Sequence, residues 1–208
     1  MEILFKMPDI FEKSRDNIRD TLDKFIINPI IFLLIKIKVS PNFVTILGFL
    51  VIIIAAYYLT QGMFRLSGLL ILFAGFMDIF DGALARRLDL ESNRGALLDS
   101  VLDRLSEALV LIAAIYFFSI NENIFLIMTA SLCIVFSLMI SYLRARIEGL
   151  GFNSKGGIFT RPERILVVSL GFLLFTPSLT LQVLVIGSTL GFINRFYLYW
   201  RLLKNNDN

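Results

Sequence analysis

Four aspartates in two short stretches of the sequence have the spacing most suggestive of chemistry. Asp78 and Asp81 are three residues apart, and Asp99 and Asp103 are four apart, so each pair shares one face of a helix. Both stretches are largely apolar, and a carboxylate inside a membrane span costs roughly 2.5–3.5 kcal/mol. Four acids packed together also repel one another, and bound divalent cations remove that conflict. The spacing therefore predicts a metal site.

The available ligands restrict the kind of metal. The chain has no histidine and a single cysteine, in an apolar run, so a zinc site is hard to build. Oxygen ligands favour Mg²⁺ or Mn²⁺, and Mg²⁺ usually completes its coordination with substrate phosphates. A phosphate-bearing ligand is therefore expected. The structural alternative is that the aspartates cap helices or pair with Arg86, Arg87 and Arg104, which can explain one or two of them but not all four.

Six apolar windows carry these residues, and each approaches the roughly 20 residues that a transmembrane helix needs. The windows are residues 42–60, 64–85, 95–119, 124–145, 164–176 with its flanks, and 180–200. Hydrophobic residues make up 57% of the chain and charged residues 18%, and the mean hydropathy is +0.77. We predict an all-α integral membrane protein: one domain, 1–208, with a juxtamembrane segment, 1–41, and a six-helix bundle, 42–203.

The aspartate pairs close the second window and open the third, which a loop of about nine residues joins. The two helices must be antiparallel neighbours, so all four carboxylates should meet at one membrane face. Ahead of the bundle, residues 8–38 predict an amphipathic helix on the membrane surface. Its apolar side chains recur at helical spacing, at Ile10, Phe11, Ile18, Leu22, Phe25 and Ile26. The apolar run 26–35 is too short to span and should lie at the interface.

The distribution of Lys and Arg predicts the orientation. With six spans, eighteen of the 20 basic residues fall in segments on one side, and only Arg65 falls in a turn on the other side. Because cytoplasmic segments carry the excess of Lys and Arg, both termini and the aspartates should be cytoplasmic, in a multi-pass protein of the cell membrane. The basic residues cluster at membrane edges and not in one soluble patch, so nucleic-acid binding has no support.

The aspartates also belong to a longer motif, Asp78-x2-Asp81-Gly82-x2-Ala85-Arg86-x8-Gly95-x3-Asp99-x3-Asp103. Its eight fixed positions all match the signature of the CDP-alcohol phosphotransferase family, which this chain resembles over nearly its whole length. The resemblance implies transfer of a phosphatidyl-type group from a CDP-linked lipid to an alcohol, with release of CMP.

The resemblance also implies roles for individual residues. Asp78, Asp81 and Asp99 would hold metal, and Asp103 would join a second ion and act as the general base. The CDP-lipid would be bound by a set that includes signature residues and polar residues near them: Asn42, Thr45, Asp78, Gly82, Ala85, Arg86 and Ser92. A rival interpretation of Thr45 is that it faces the backbone of a neighbouring helix. A homodimer is expected by resemblance alone.

The acceptor alcohol is indicated by arginines on the predicted cytoplasmic side. Arg144, Arg161, Arg164 and Arg195 match positions that hold the acceptor's phosphate in the branch of the family that uses inositol phosphate. The segment Thr160-Arg161-Pro162-Glu163-Arg164 departs from that branch, so glycerol 3-phosphate is the closest competitor, and a solvated basic loop would explain most of these charges without a ligand. The donor's tails, acyl or isoprenoid, are left open.

The acidic residues are also compatible with two other functions. Intramembrane carboxylates often line ion paths, so a cation or proton transporter is possible, but all four acids lie near one face and the outer halves of the spans have almost no ionisable groups. An inactive family member acting as a scaffold is the second. The intact signature argues against it.

Overall fold

The computed structural model describes residues 28–152 and 157–206, and every regular element within those ranges is an α-helix. The described residues form seven helices, joined by turns of three to five residues except between the fifth and sixth, where residues 150–160 intervene. The helices are α1 (Asn28–Lys36), α2 (Pro41–Thr60), α3 (Phe64–Arg87), α4 (Asn93–Ile120), α5 (Ile124–Gly149), α6 (Arg161–Leu173) and α7 (Pro177–Asn206).

Polar caps set where the helices of the predicted site begin. The Ser40 side chain accepts a hydrogen bond from the backbone N–H of Phe43 (3.3 Å), at the start of α2. The Ser92 side chain accepts from the backbone N–H of Gly95 (3.1 Å), at the start of α4. Such caps satisfy amide groups that have no partner within the helix. They fix the rotation of the aspartates on α4 relative to the preceding turn.

The bundle is arranged around α3, which packs against α2 on one side and α6 on the other. Helix α4 packs against α2 and α5, and α7 against α5 and α6. Helix α3 comes close to α6 at Gly68, where an added Cβ would lie 2.6 Å from the carbonyl oxygen of Ser169 on α6. At the other end of α3, Arg87 donates a hydrogen bond to Asn28 and so ties α1 to the bundle.

Four helices, α2, α3, α5 and α7, have the length and apolar composition to cross a membrane. Helix α4 is 28 residues long but carries several charges in its first half. Helix α6 has only 13 residues, about 20 Å at 1.5 Å per residue, against a hydrocarbon core of about 30 Å. The predicted all-helical, multi-pass fold class is confirmed, whereas the number of six spans stays a prediction.

The outer surface of the bundle is apolar. On α2 alone Ile46, Leu50, Ile54 and Tyr57 are between 44% and 62% exposed, which suits contact with lipid tails better than with water. Most of the predicted surface helix lies outside the described residues. The part that is described, α1, is helical and buries Ile31 against α3.

Candidate metal-binding active site

Three of the four aspartates converge, from two helices. Asp78 lies in the second half of α3, and Asp99 and Asp103 lie in the first half of α4. One carboxylate oxygen from each lies within 4.8 Å of the other two. The Oδ1 atom of Asp99 is buried and has no hydrogen-bond partner. An orphaned buried carboxylate oxygen beside two others fits a site for a hard divalent cation.

The fourth aspartate, Asp81, faces α2. It is only 6% exposed, and its Oδ2 accepts a hydrogen bond from the hydroxyl of Thr45 at 2.7 Å. That bond between side chains is shorter than the 3.2 Å contact of the same hydroxyl with the carbonyl oxygen of Pro41 in its own helix. Thr45 therefore links the start of α2 to the acidic cluster, and both residues line the same cleft.

Arg161, at the start of α6, bridges the acidic cluster. One guanidinium nitrogen lies 2.7 Å from Asp78 Oδ2 and another lies 2.7 Å from Asp103 Oδ1. The structural alternative from the sequence paired the aspartates with other arginines. In the structure Arg87 donates a hydrogen bond to Asn28, and Arg104 donates one to the carbonyl oxygen of Ser100 in its own helix. The positive charge in contact with Asp78 and Asp103 is thus the guanidinium of Arg161, a residue that the family resemblance assigns to the acceptor's phosphate.

Polar residues predicted to bind the nucleotide gather at the same end of the bundle. A Cβ added to Gly95 would lie 3.2 Å from both Asn42 Oδ1 and Ser92 Oγ, so these two side chains flank the glycine at the start of α4. One turn from Asp78 on α3, a Cβ added to Gly82 would lie 3.4 Å from the guanidinium of Arg86. Ala85 is half-buried between these positions. The residues predicted to bind the CDP-lipid remain candidates for the donor site: Asn42, Thr45, Asp78, Gly82, Ala85, Arg86 and Ser92.

A cleft of about 700 Å³, including the space at its mouth, opens over the aspartates. Its polar end is lined by Thr45, Asp78, Asp81, Asp103 and Arg161. About two helical turns further along α2, α3, α4 and α6 the lining is apolar, at Ile52, Ile71, Val110 and Val168. The cleft therefore has an ionic end and an apolar interior, which suits the binding of an amphiphile.

The four arginines predicted to bind the acceptor have different surroundings. Arg164 is 2% exposed and pairs with Glu107 through two N–H···O contacts of 2.6 and 2.9 Å. Arg195, on α7, is 6% exposed and its Nε has no hydrogen-bond partner. Arg144 is exposed and lies 3.0 Å from Glu148 in its own helix. Of these four arginines, Arg161 and Arg164 line the cleft, and Arg144 and Arg195 do not.

Sequence reasoning missed Glu107. It lies one helical turn beyond Asp103, on the same face of α4, and it lines the cleft. Its i+4 spacing from Asp103 inside an otherwise apolar stretch was the available signal. Its partner Arg164 is 57 residues away in sequence, so the pairing had no local signature.

The fold and the cleft together define a class of protein. It is a helical membrane protein with an oxygen-lined cation site at the ionic end of an amphiphilic cleft. Comparison with known proteins makes the class specific: the family model described as CDP-alcohol phosphatidyltransferase matches residues 38–195.

Named relatives agree with that match. The archaetidylinositol phosphate synthase of Methanothermobacter thermautotrophicus is 34% identical over 205 residues, which cover 95% of this chain and all of the relative. The crystal structure of the phosphatidylinositol phosphate synthase of Mycobacterium tuberculosis with CDP-DAG bound has a TM-score of 0.76 and 27% identity, covering 84% of this chain and 94% of that one. The same enzyme in complex with manganese and citrate gives a TM-score of 0.77 at 27% identity, covering 84% and 89%.

The chain belongs to the CDP-alcohol phosphatidyltransferase family. The family predicted from the signature is thereby confirmed, and with it the enzyme class. The predicted divalent-cation cofactor, Mg²⁺ or Mn²⁺, is also confirmed, by the aspartate cluster together with the manganese complex of the structural relative.

Proposed function

We propose that this enzyme transfers a phosphatidyl-type group from a CDP-linked lipid to the hydroxyl of a phosphorylated alcohol, with inositol phosphate as the preferred acceptor. The observation that carries the proposal is the convergence of Asp78, Asp99 and Asp103 at the ionic end of a cleft whose interior is apolar. A CDP-lipid has the same two parts, a diphosphate and hydrocarbon tails.

Asp78, Asp81, Asp99 and Asp103 would hold the metal, with two ions expected. When bound, divalent cations would neutralise charge on the donor's diphosphate. The Thr45 hydroxyl holds Asp81 in place by donating to it. Asn42, Thr45, Gly82, Ala85, Arg86 and Ser92 complete the proposed CDP-lipid site with Asp78, and Gly82 leaves space beside the Arg86 guanidinium for the nucleotide.

Asp103 is the proposed catalytic base. It accepts the proton of the acceptor hydroxyl while that oxygen forms a bond to the β-phosphorus of the donor, and the bond from that phosphorus to CMP breaks. In the structure Arg161 shares the Asp103 carboxylate. The acceptor's phosphate competes for the Arg161 guanidinium, since Arg–phosphate pairs form strong bidentate hydrogen bonds. Acceptor binding thus frees an oxygen of the base.

The proposed acceptor site also includes Arg144, Arg164 and Arg195. The buried Nε of Arg195, which has no hydrogen-bond partner, supports an anion there. The relative from Methanothermobacter thermautotrophicus is an archaetidylinositol phosphate synthase, and that from Mycobacterium tuberculosis is a phosphatidylinositol phosphate synthase. Both names favour inositol phosphate over glycerol 3-phosphate.

We further propose the placement of the enzyme. Helices α4 and α6 complete a bundle of six spans within one domain, an amphipathic segment before α2 lies on the surface, and both termini and the aspartates face the cytoplasm. The charges of Arg86, Arg87 and Arg94 around the α3–α4 turn support that orientation. A homodimer is expected by family resemblance.

An acceptor panel tests the function. Purified enzyme in detergent with CDP-lipid and Mn²⁺ is given inositol phosphate, glycerol 3-phosphate, serine or free inositol, and CMP release is measured. Inositol phosphate should give the highest kcat/KM. Preference for glycerol 3-phosphate would replace the acceptor while keeping the reaction class, and no CMP release with any phosphorylated alcohol would refute the proposal.

A further inference from the structure

A buried ion pair between Glu107 and Arg164 lies beside the proposed active site, and Glu107 has no part in the chemistry described so far. Glu107 and Arg164 meet through both carboxylate oxygens, at 2.6 Å from Nε and 2.9 Å from the second guanidinium nitrogen. The remaining guanidinium nitrogen donates to the carbonyl oxygen of Phe159 at 3.3 Å. Arg164 is 2% exposed, so its planar fork is fully engaged within the protein.

The pair connects α4 and α6. Helices α4 and α6 are not among the closely packed pairs of the bundle; α3 and α7 lie against α6 instead. Two ion pairs cross the gap. Arg161 reaches Asp103, and Arg164, one turn further along α6, reaches Glu107, one turn further along α4.

The Arg164–Glu107 pair is suited to positioning, and the Arg161–Asp103 pair is suited to a direct part in the reaction. Arg161 is 24% exposed at its side chain and faces the cleft, so it can exchange partners. Arg164 is buried, and taking one partner from a buried ion pair leaves an uncompensated charge. The Phe159 bond extends the hold to the residue just before Thr160, which caps α6. The start of α6 is therefore fixed relative to Asp103.

We infer that Glu107 is a positioning residue for acceptor recognition: through Arg164 it holds the start of α6 so that Arg161 faces Asp103 and the acceptor's phosphate. This inference rests on the proposed function, and within the proposed acceptor site it gives Arg164 the task of holding Arg161 in place. Neither residue is part of the eight-residue signature.

The test is the split between two Michaelis constants in Glu107→Gln. The amide turns an N–H group toward the donors of Arg164, so the bidentate pair is lost while the volume is kept. The KM for inositol phosphate should rise about tenfold, within the range of coupling between contacting residues, while the KM for CDP-lipid changes less than twofold. Glu122→Gln, the same change in the exposed turn after α4, is the matched control and should leave both constants unchanged.

A double-mutant cycle separates positioning from direct contact. If Arg164 acts only by holding Arg161, adding Arg164→Gln to Arg161→Gln should raise the acceptor KM no further. If Arg164 binds the phosphate itself, the two effects should multiply, and that result overturns the inference. Arg164→Lys, which keeps the charge but loses the bidentate fork, gives the same KM split should Arg164→Gln not yield folded protein.

Hydrogen exchange provides a measurement independent of the acceptor. In Glu107→Gln, amides of residues 157–168 should exchange faster than in wild type, while those of α2 keep their rates. An equal rise in the KM for CDP-lipid and the KM for inositol phosphate overturns the inference and leaves the proposed function standing. An unchanged KM for inositol phosphate in an active enzyme does the same. A wild type that turns over no phosphorylated alcohol instead refutes the proposed function.

Discussion

Asp103 and Arg161 carry the residue-scale account, because they are in contact and have different proposed tasks. Their 2.7 Å ion pair places a cation on the base before any substrate arrives. The same guanidinium also lies 2.7 Å from Asp78, where metal would bind. Arg161 would therefore compete with a bound metal ion for the aspartates, and its guanidinium would then be available to the acceptor's phosphate.

Replacing the base should remove turnover without removing donor binding. In Asp103→Asn the side chain keeps its shape but cannot take the proton, so kcat should fall by about 10²–10⁴. Steady-state CMP release measures it. Asp89→Asn, in the exposed turn before α4, is the matched control and should retain wild-type kcat. Normal turnover by Asp103→Asn would remove it from the role of base.

Arg161→Gln should change metal and acceptor binding in opposite directions. Removing the guanidinium removes its repulsion of a second cation at the aspartates, so Mn²⁺ should bind more tightly, as measured by electron paramagnetic resonance titration. The KM for inositol phosphate should rise by about tenfold or more, because a bidentate phosphate contact is lost. Arg146→Gln, on the exposed end of α5, is the control. Weaker Mn²⁺ binding in Arg161→Gln would contradict the competition.

At the scale of elements, α3 is the helix on which the site depends, since it carries two aspartates and packs against α2 and α6. Its close approach to α6 at Gly68 sets the distance between Asp78 and Arg161. The site is therefore sensitive to a packing change three turns away from the aspartates.

Gly68→Ala should lower stability and activity together. The new Cβ would lie 2.6 Å from a backbone oxygen on α6, so one helix must shift, at a cost of about 1–3 kcal/mol. A thermal unfolding curve in detergent should show a lower Tm. Gly149→Ala has nothing within 4 Å of the added atom and should leave Tm unchanged. Equal Tm values for the two variants would contradict the packing argument.

The sequence predicted those parts of the site that depend on local geometry. Helical spacing put Asp99 and Asp103 on one face of α4, and the short connecting turn put them at the same end of the bundle as Asp78. The prediction that α3 and α4 are direct neighbours was too simple, since both pack closely against α2. The Arg161 bridge was not predictable in this way, because its partner Asp78 is 83 residues away and the angle of α6 depends on tertiary packing. The same reason hid the pairing of Glu107 with Arg164.

At the scale of the whole molecule, the proposed orientation places the ionic end of the cleft at the cytoplasmic face. The single native cysteine, Cys133, is buried, so Cys133→Ala gives a simple background for labelling. Glu91 lies in the turn between α3 and α4, and Gln61 in the turn between α2 and α3, and both are exposed.

Cysteines at these two turns should report opposite sides of the membrane. In intact cells, a membrane-impermeant maleimide should label Gln61→Cys and not Glu91→Cys, and permeabilisation should expose Glu91→Cys as well. The physical reason is the excess of Lys and Arg beside Glu91. Labelling of Glu91→Cys from outside would reverse the proposed orientation.

The most direct test of the central claim is the Mn²⁺ dependence of CMP release from CDP-lipid and inositol phosphate. Protein stripped with EDTA should be inactive and regain turnover on Mn²⁺ titration, and Asp99→Asn should need much more Mn²⁺ than Asp89→Asn, because Asp99 supplies a buried carboxylate oxygen with no other partner. Full turnover after stripping, or the same Mn²⁺ requirement in Asp99→Asn and Asp89→Asn, would contradict a catalytic metal held by the aspartate cluster.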